Sequence, residues 1–160
     1  MFELLEANPS DPIHASAIVQ LMNEDACHPM GGGQPLSDTV QINLPIELSK
    51  RPNAHIVLAF MNDEPVGLTI CFEGFSTFAC KPLLNIHDVI VSENYRGQGL
   101  SKQLLQQVEI IARRLGCCKL TLEVLEGNPI AQAAYQSIGF SGYQLNPEMG
   151  NALFWQKKLS

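Results

Sequence analysis

The sequence predicts an α/β (α+β) fold of six to seven strands and about four helices. Three observations lead there. Residues 84–116 read as a buried strand, a glycine-bearing turn and an amphipathic helix. His55–Met61 and Val66–Phe75 are two apolar runs separated by Asn62-Asp63-Glu64-Pro65, the composition of a hairpin. Lys119–Glu126 then alternates as a strand and leads into a short capped helix that Gly139 stops.

The chain has 160 residues, one domain's worth (1–160), long enough to bury a core without disulfides or metal. No apolar run approaches the roughly 20 residues that cross a bilayer, so no membrane association is expected. The N-terminus MFELLEANPSD lacks the basic and apolar regions of a secretory signal, and a cytoplasmic location is expected. Five cysteines without a C-x-x-C pair read as reduced thiols, and the four histidines lack zinc-ligand spacing, so no metal is expected. A net charge of −6 argues against a nucleic-acid surface, which needs clustered Lys and Arg, and mildly favours a cationic or neutral partner.

Taken in order, Phe2–Ala7 is a first strand, and Asn8–Pro12 is a turn that caps a helix over about Ile13–Asp25. Ile13, Ala17, Ile18, Leu21 and Met22 form the core stripe of that helix, and His14 is expected in solvent. Residues 26–36, with three consecutive glycines and two prolines, read as a flexible loop, followed by a less regular helix at 37–49. The hairpin strands come next. Most of Phe72, Phe75 and Phe78 are expected in the core, with one or two lining a pocket.

Leu83–Val91 is the apolar, β-branched central strand, interrupted by Asn85, His87 and Asp88. Strict alternation sends His87 and Asp88 to opposite faces. Leu100, Leu104, Leu105, Val108, Ile111, Ala112 and Leu115 mark one face of the following helix, and Gly116 stops it. Asn128 is placed to cap a short helix with Pro129 at its first position. Two last strands are expected around Ser141–Leu145 and Ala152–Lys158.

Between central strand and helix, Arg96-Gly97-Gln98-Gly99-Leu100-Ser101 leaves successive amides uncovered at a helix N-terminus, which suits a phosphate or diphosphate; Arg96 and Lys102 add positive charge. Glycines there also serve simply to make a tight connection. The turn is neither a Walker loop nor a dinucleotide fingerprint, since Lys102 stands where the latter needs its third glycine. It resembles the R/Q-x-x-G-x-G/A signature of the GNAT acetyltransferases, with Ser101 at the last small position. Asn128-Pro129-Ile130-Ala131 and Ala134-Tyr135-Gln136-Ser137-Ile138-Gly139-Phe140 are similar to that family's N-x-x-A…Y-x-x-x-G-F segment.

The resemblance implies a GNAT fold, a central mixed, mostly antiparallel, twisted sheet of six to seven strands flanked by about four helices with a splay between the fourth and fifth strands, and acetyl-CoA as cofactor. It implies that Arg96, Gly97, Gln98, Gly99, Leu100, Ser101 and Lys102 hold the diphosphate, that the backbone of Val89, Ile90 and Val91 pairs with the pantetheine arm, and that Asn128 orients that arm. Tyr135 matches the family tyrosine that protonates the departing sulfur. His87 and Asp88, where polyamine-type members carry a Glu-Asp pair, and Glu123 on the next strand are the candidate general bases. The implied reaction is direct acetyl transfer in a ternary complex to a primary amine, of a small molecule first. Acetylation of a protein lysine or N-terminus, and a non-catalytic acyl-CoA sensor, stay open, as does a homodimer. No cysteine lies in the core motif; Cys27 beside His28 is the one Cys-His neighbour pair.

Overall fold

The computed structural model describes residues 1–159. Two compact units divide the chain, Met1–Glu123 and Val124–Ser160.

The first unit is a five-stranded sheet with three helices. Its strands are β1 (Glu3–Glu6), β2 (Ala54–Met61), β3 (Glu64–Ser76), β4 (Lys81–Val91) and β5 (Leu120–Leu122), which lie side by side in that order. The first three pairings are antiparallel and β4 pairs with β5 in parallel. The β2–β3 hairpin closes on Asn62 and Asp63, both at positive φ (50° and 64°), where their short polar side chains tolerate the left-handed backbone a tight hairpin needs.

Helix α1 (Pro12–Cys27) starts at Asp11, whose carboxylate accepts from the amides of Ile13 and His14. His14 is half-buried, not solvated: its Nδ1 accepts from the Asn8 amide at 3.0 Å and braces the turn before the helix. Ala17, Ile18 and Leu21 are buried, while Ile13, in the first turn beyond the sheet's reach, is 70% exposed. The 26–36 segment is more regular than its glycines suggest. The helix runs to Cys27, and one turn of 3-10 helix occupies Pro29–Gly31 before Gly32 and Gly33 take positive φ. Helix α2 (Asp38–Ser49), capped by Ser37, packs Leu48 and Pro45 inward.

These two helices cover one face of the sheet, where Ile56, Leu58, Leu68, Ile70 and Ile90 meet Ile18 and Leu21 in a single cluster. Helix α3 (Leu100–Arg114) covers the other, and its buried face is Leu100, Leu104, Leu105, Val108, Ile111 and Ala112. A Cβ built on Gly67 would stand 3.0 Å from both Leu100 and Leu104, so β3 needs glycine there for α3 to approach. Phe72 packs at the edge of the α1/α2 cluster, but Phe75 and Phe78 are 59% and 85% exposed, because the β3–β4 hairpin projects past both helical layers.

In the second unit, α4 (Pro129–Ser137) starts on Asn128, whose Oδ1 accepts from the Ala131 amide at 3.1 Å. It ends with Phe140 N–H on the Tyr135 carbonyl and Gly139 N–H on that of Gln136, with Gly139 at φ 101°, a Schellman closure. The two expected last strands are absent among the described residues, so the sheet has five strands and not six or seven. The Ala152 amide donates to the Tyr143 carbonyl, bringing the two segments together around a 3-10 turn at Pro147–Met149. Leu145, Leu153, Phe154 and Trp155 are exposed, leaving these segments without a buried face to stabilise a ladder.

Candidate active site

The Leu83–Val91 run forms its strand with two additional residues at the start, and it is paired unequally. Register with β3 runs the whole length from Lys81 to Val91, whereas β5 reaches only Leu84, Asn85 and Ile86. The strand expected over Lys119–Glu126 is three residues long, and β4 from His87 to Val91 has no neighbouring strand on that side among the described residues. The half-buried Val89 and Val91 and the buried Ile90 lie along this open edge, and the Val91 carbonyl accepts from Arg96 Nε at 3.1 Å. A strand with free backbone positions on one side can pair with any extended chain of matching length.

Past Val91 the chain makes one 3-10 turn at Glu93–Tyr95 and reaches the glycines. Gly97 and Gly99 have φ of 74° and 78°, a conformation that costs an L-residue about 1–2 kcal/mol. A Cβ at either position would meet nothing within 4 Å. Gly97, Gln98 and Gly99 are exposed, Leu100 is buried against the sheet, Ser101 is half-buried and Lys102 is exposed in the first turn of α3. Gly99 is the N-cap and contributes no side chain to it, so the first amides of α3 open outward with their dipole. The cradle has room and positive charge for a diphosphate, and its backbone conformation demands the glycines.

His87 and Asp88 do not point to opposite faces. A β-bulge in β4 interrupts the register: Cys71 pairs with Ile86 and Ile70 with Asp88, which leaves His87 as the extra residue. Ile86 therefore faces α3 while Asp88 shares the α1/α2 face with Ile70. The His87 ring stands edge-on to Phe72 on that same side, with centroids 5.8 Å apart, and its Nδ1 lies 3.2 Å from Asp88 Oδ2. The pair is graded in exposure, with the His87 side chain at 66% and Asp88 at 23%. Such an imidazole, steadied through one nitrogen by a carboxylate, presents its other nitrogen to solvent.

Two residues of the last turn of α1 join this region without any signal in the sequence pattern. Burial, and then the negative charge of Asp88, raise the Asp25 carboxyl above its ordinary pKa, with His28 and Arg96 opposing. Glu24 accepts from Ser92 Oγ at 3.1 Å and from the Glu93 amide at 3.0 Å. Neither could be found by motif, because the contacts span more than sixty residues.

Glu123, the last residue of the first unit, is exposed beyond the end of β5. In the second unit Asn128 caps α4, and half-buried Tyr135 stacks edge-on with Phe140, centroids 6.0 Å apart. The thiols contribute little. Burial pushes Cys71 up to about 12, partly countered by the Thr69 hydroxyl, and the Nδ1 of His28 accepts from the Met30 amide, which occupies that nitrogen instead of activating Cys27.

Comparison with known proteins extends this picture. Over 139 residues the chain is 24% identical to a thialysine N-epsilon-acetyltransferase of Caenorhabditis elegans, covering 87% of this chain and 82% of that protein. It superposes with a TM-score of 0.80 on an aminoglycoside acetyltransferase, meta-AAC0020, from an uncultured soil metagenomic sample, at 16% identity over 99% of this chain and 97% of the other. The aminoglycoside N-acetyltransferase AAC(6')-Iy in complex with CoA shares the fold at a TM-score of 0.76 and 17% identity, covering 99% and 96%. No helix among the described residues is long and apolar enough to cross a membrane. The family model described as acetyltransferase (GNAT) matches residues 18–140, most of the chain, from within α1 through the Schellman closure of α4, and the chain therefore belongs to the GNAT family of acetyltransferases.

Proposed function

We propose that this protein is an N-acetyltransferase that moves an acetyl group from acetyl-CoA to the primary amine of a small molecule, by direct transfer in a ternary complex, with residues 1–160 acting as one catalytic domain. The observation that carries this reading is the conjunction on one strand: β4 loses its β5 partner after Ile86, holds the His87–Asp88 pair at its bulge, and runs into the open glycine cradle. The names of relatives that act on thialysine and aminoglycosides support a small amine as acceptor. The five free thiols suit a reducing compartment, and we place the enzyme in the cytoplasm.

In this reading the amides of Gly97 to Ser101, with Arg96 and Lys102, hold the diphosphate, and the backbone of Val89, Ile90 and Val91 aligns the pantetheine arm. Bound there, acetyl-CoA supplies an acyl group activated on sulfur. A backbone N–H near Val89 polarises the carbonyl. His87, its Nδ1–H donated to Asp88, takes a proton from the acceptor ammonium at Nε2, so that a neutral amine attacks. The Tyr135 hydroxyl would hold the proton that the coenzyme's sulfur requires on release, and Asn128 would orient the arm; both roles rest on their places in the motif. Glu123 takes part only through water.

The test is to incubate the protein with acetyl-CoA and thialysine, polyamines, aminoglycosides and a lysine peptide, following thiol release. Release with a small amine is expected. Release with the peptide alone would move the acceptor to protein, and cofactor-induced thermal stabilisation with no release from any acceptor would make the chain a sensor.

A further inference from the structure

The geometry points to Glu24 as the positioning residue for the cofactor turn: from the last turn of α1, its carboxylate brackets Ser92 and Glu93 and fixes where the glycine cradle stands. The inference rests on the acetyltransferase reading and adds to it a residue outside the motif.

The cradle does not hold itself in place. Cβ atoms built at Gly97 and Gly99 find open space, so nothing packs the turn from outside, and its position is inherited from the segment before it and from α3 behind it. In that segment the 3-10 turn Glu93–Tyr95 begins at Ser92, whose hydroxyl does not cap it. The hydroxyl is instead turned toward α1 and donates to Glu24 Oε2 at 3.1 Å, while the Glu93 amide donates to Oε1 at 3.0 Å. One carboxylate thus caps the turn in place of the local serine, with both oxygens engaged. Ser92 is 8% exposed, and its amide is spent on the Val66 carbonyl. The remaining anchors run elsewhere: Tyr95 Oη donates to Glu64 on β3 at 2.9 Å, and Arg96 Nε to Val91 on β4 at 3.1 Å. Among the hydrogen bonds of residues 92–96 within the described chain, those to Glu24 tie the segment to a helix on the α1/α2 face. A carboxylate near an anion cradle weakens the field the ligand feels, so its place there is explained by the two bonds it accepts.

The same helical turn also holds the glycine-rich segment, since Asn23 Oδ1 accepts from the Leu36 amide at 2.9 Å and the Ala26 carbonyl from the Gln34 amide at 3.1 Å. Displacement of residues 23–26 would therefore be felt on both sides of the strand's open end.

The experiment measures coenzyme A affinity by calorimetry, steady-state constants, and amide hydrogen exchange of Glu93 to Gly99 in the free protein, for Glu24→Ala, Glu24→Gln and Ser92→Ala. Glu24→Ala is expected to weaken coenzyme A about tenfold, the loss of charge-assisted bonds at a partly exposed site. KM for acetyl-CoA should rise with it, kcat should stay within about twofold, and exchange at Glu93 should quicken. Glu24→Gln, of the same shape with one acceptor left, should recover part of the affinity, and Ser92→Ala should add little in the Glu24→Ala background. Unchanged affinity and exchange in folded Glu24→Ala, or a loss confined to kcat, would overturn the inference alone. Failure of the unaltered protein to bind coenzyme A would overturn the acetyltransferase reading and this role with it.

Discussion

Two glycines at opposite ends of one helix allow the diphosphate cradle to be tested against its own control. Gly99 caps the start of α3 at φ 78°, and Gly116 follows its end at φ 74°; a Cβ at either would meet nothing within 4 Å. Alanine at either position therefore pays only for the left-handed backbone, about 1–2 kcal/mol, less the few tenths to 1 kcal/mol by which alanine narrows the unfolded ensemble. The net is about 1 kcal/mol for both, or a fall in Tm of about 2–4 °C in a chain of this size. If the cradle binds a diphosphate through its amides, the two variants part company in affinity. At Gly99 the methyl group and the shifted backbone remove at least one amide-to-anion bond, worth about 1.5–3 kcal/mol, a loss of coenzyme A affinity of about tenfold or more. At Gly116 the affinity should not move. Differential scanning fluorimetry gives the first comparison and calorimetry with coenzyme A the second. Equal Tm losses with equal affinities would refute the cradle and leave both glycines as helix punctuation.

The other predictions concern the proton transfers and the half-buried Asp25 carboxyl. Tyr135→Phe should lower kcat while leaving acetyl-CoA affinity nearly intact, and unchanged turnover would remove Tyr135 from the chemistry. His87→Ala should cost about 10²–10⁴ in kcat as the loss of a general base, with Asp88→Asn intermediate; a smaller loss for His87→Ala than for Glu123→Gln would shift the base to Glu123. Asp25 has a raised folded pKa through burial and Asp88, so its favourable contribution is present below the ordinary aspartate range and is lost as pH rises through the raised value. Asp25→Asn should accordingly raise Tm at pH 7, with the advantage shrinking as pH falls through the raised value and gone by about 4; a gain independent of pH would show that charge burial is not its cause.

How much of this was legible beforehand follows from the range of each interaction. The α3 stripe, the Asn128 cap and the Gly99 turn are local, and residues within four positions of one another announced them. The bulge at His87 is a property of pairing between two strands, and no feature of Leu83–Val91 alone distinguishes it from regular alternation. Aromatic chemistry places most of Phe72, Phe75 and Phe78 in the core or lining a pocket, but burial depends on how far a hairpin outruns its helices, and Phe75 and Phe78 are exposed. The tail composition suited strands, yet a ladder needs a buried face as well as β-formers. Glu24 was invisible because its partners are 68 and 69 residues away.

The extra residue in β4 separates what the scaffold needs from what the proposed chemistry would need. Excising His87 would place Asp88 opposite Ile70 directly after Ile86 opposite Cys71, so both apolar surfaces of the strand would keep their partners and the ladder would become regular. The chain thus carries a residue its architecture could shed at no cost in pairing, and a shortened protein that stayed folded but inert would assign His87 to the proposed proton transfer and not to the making of a sheet.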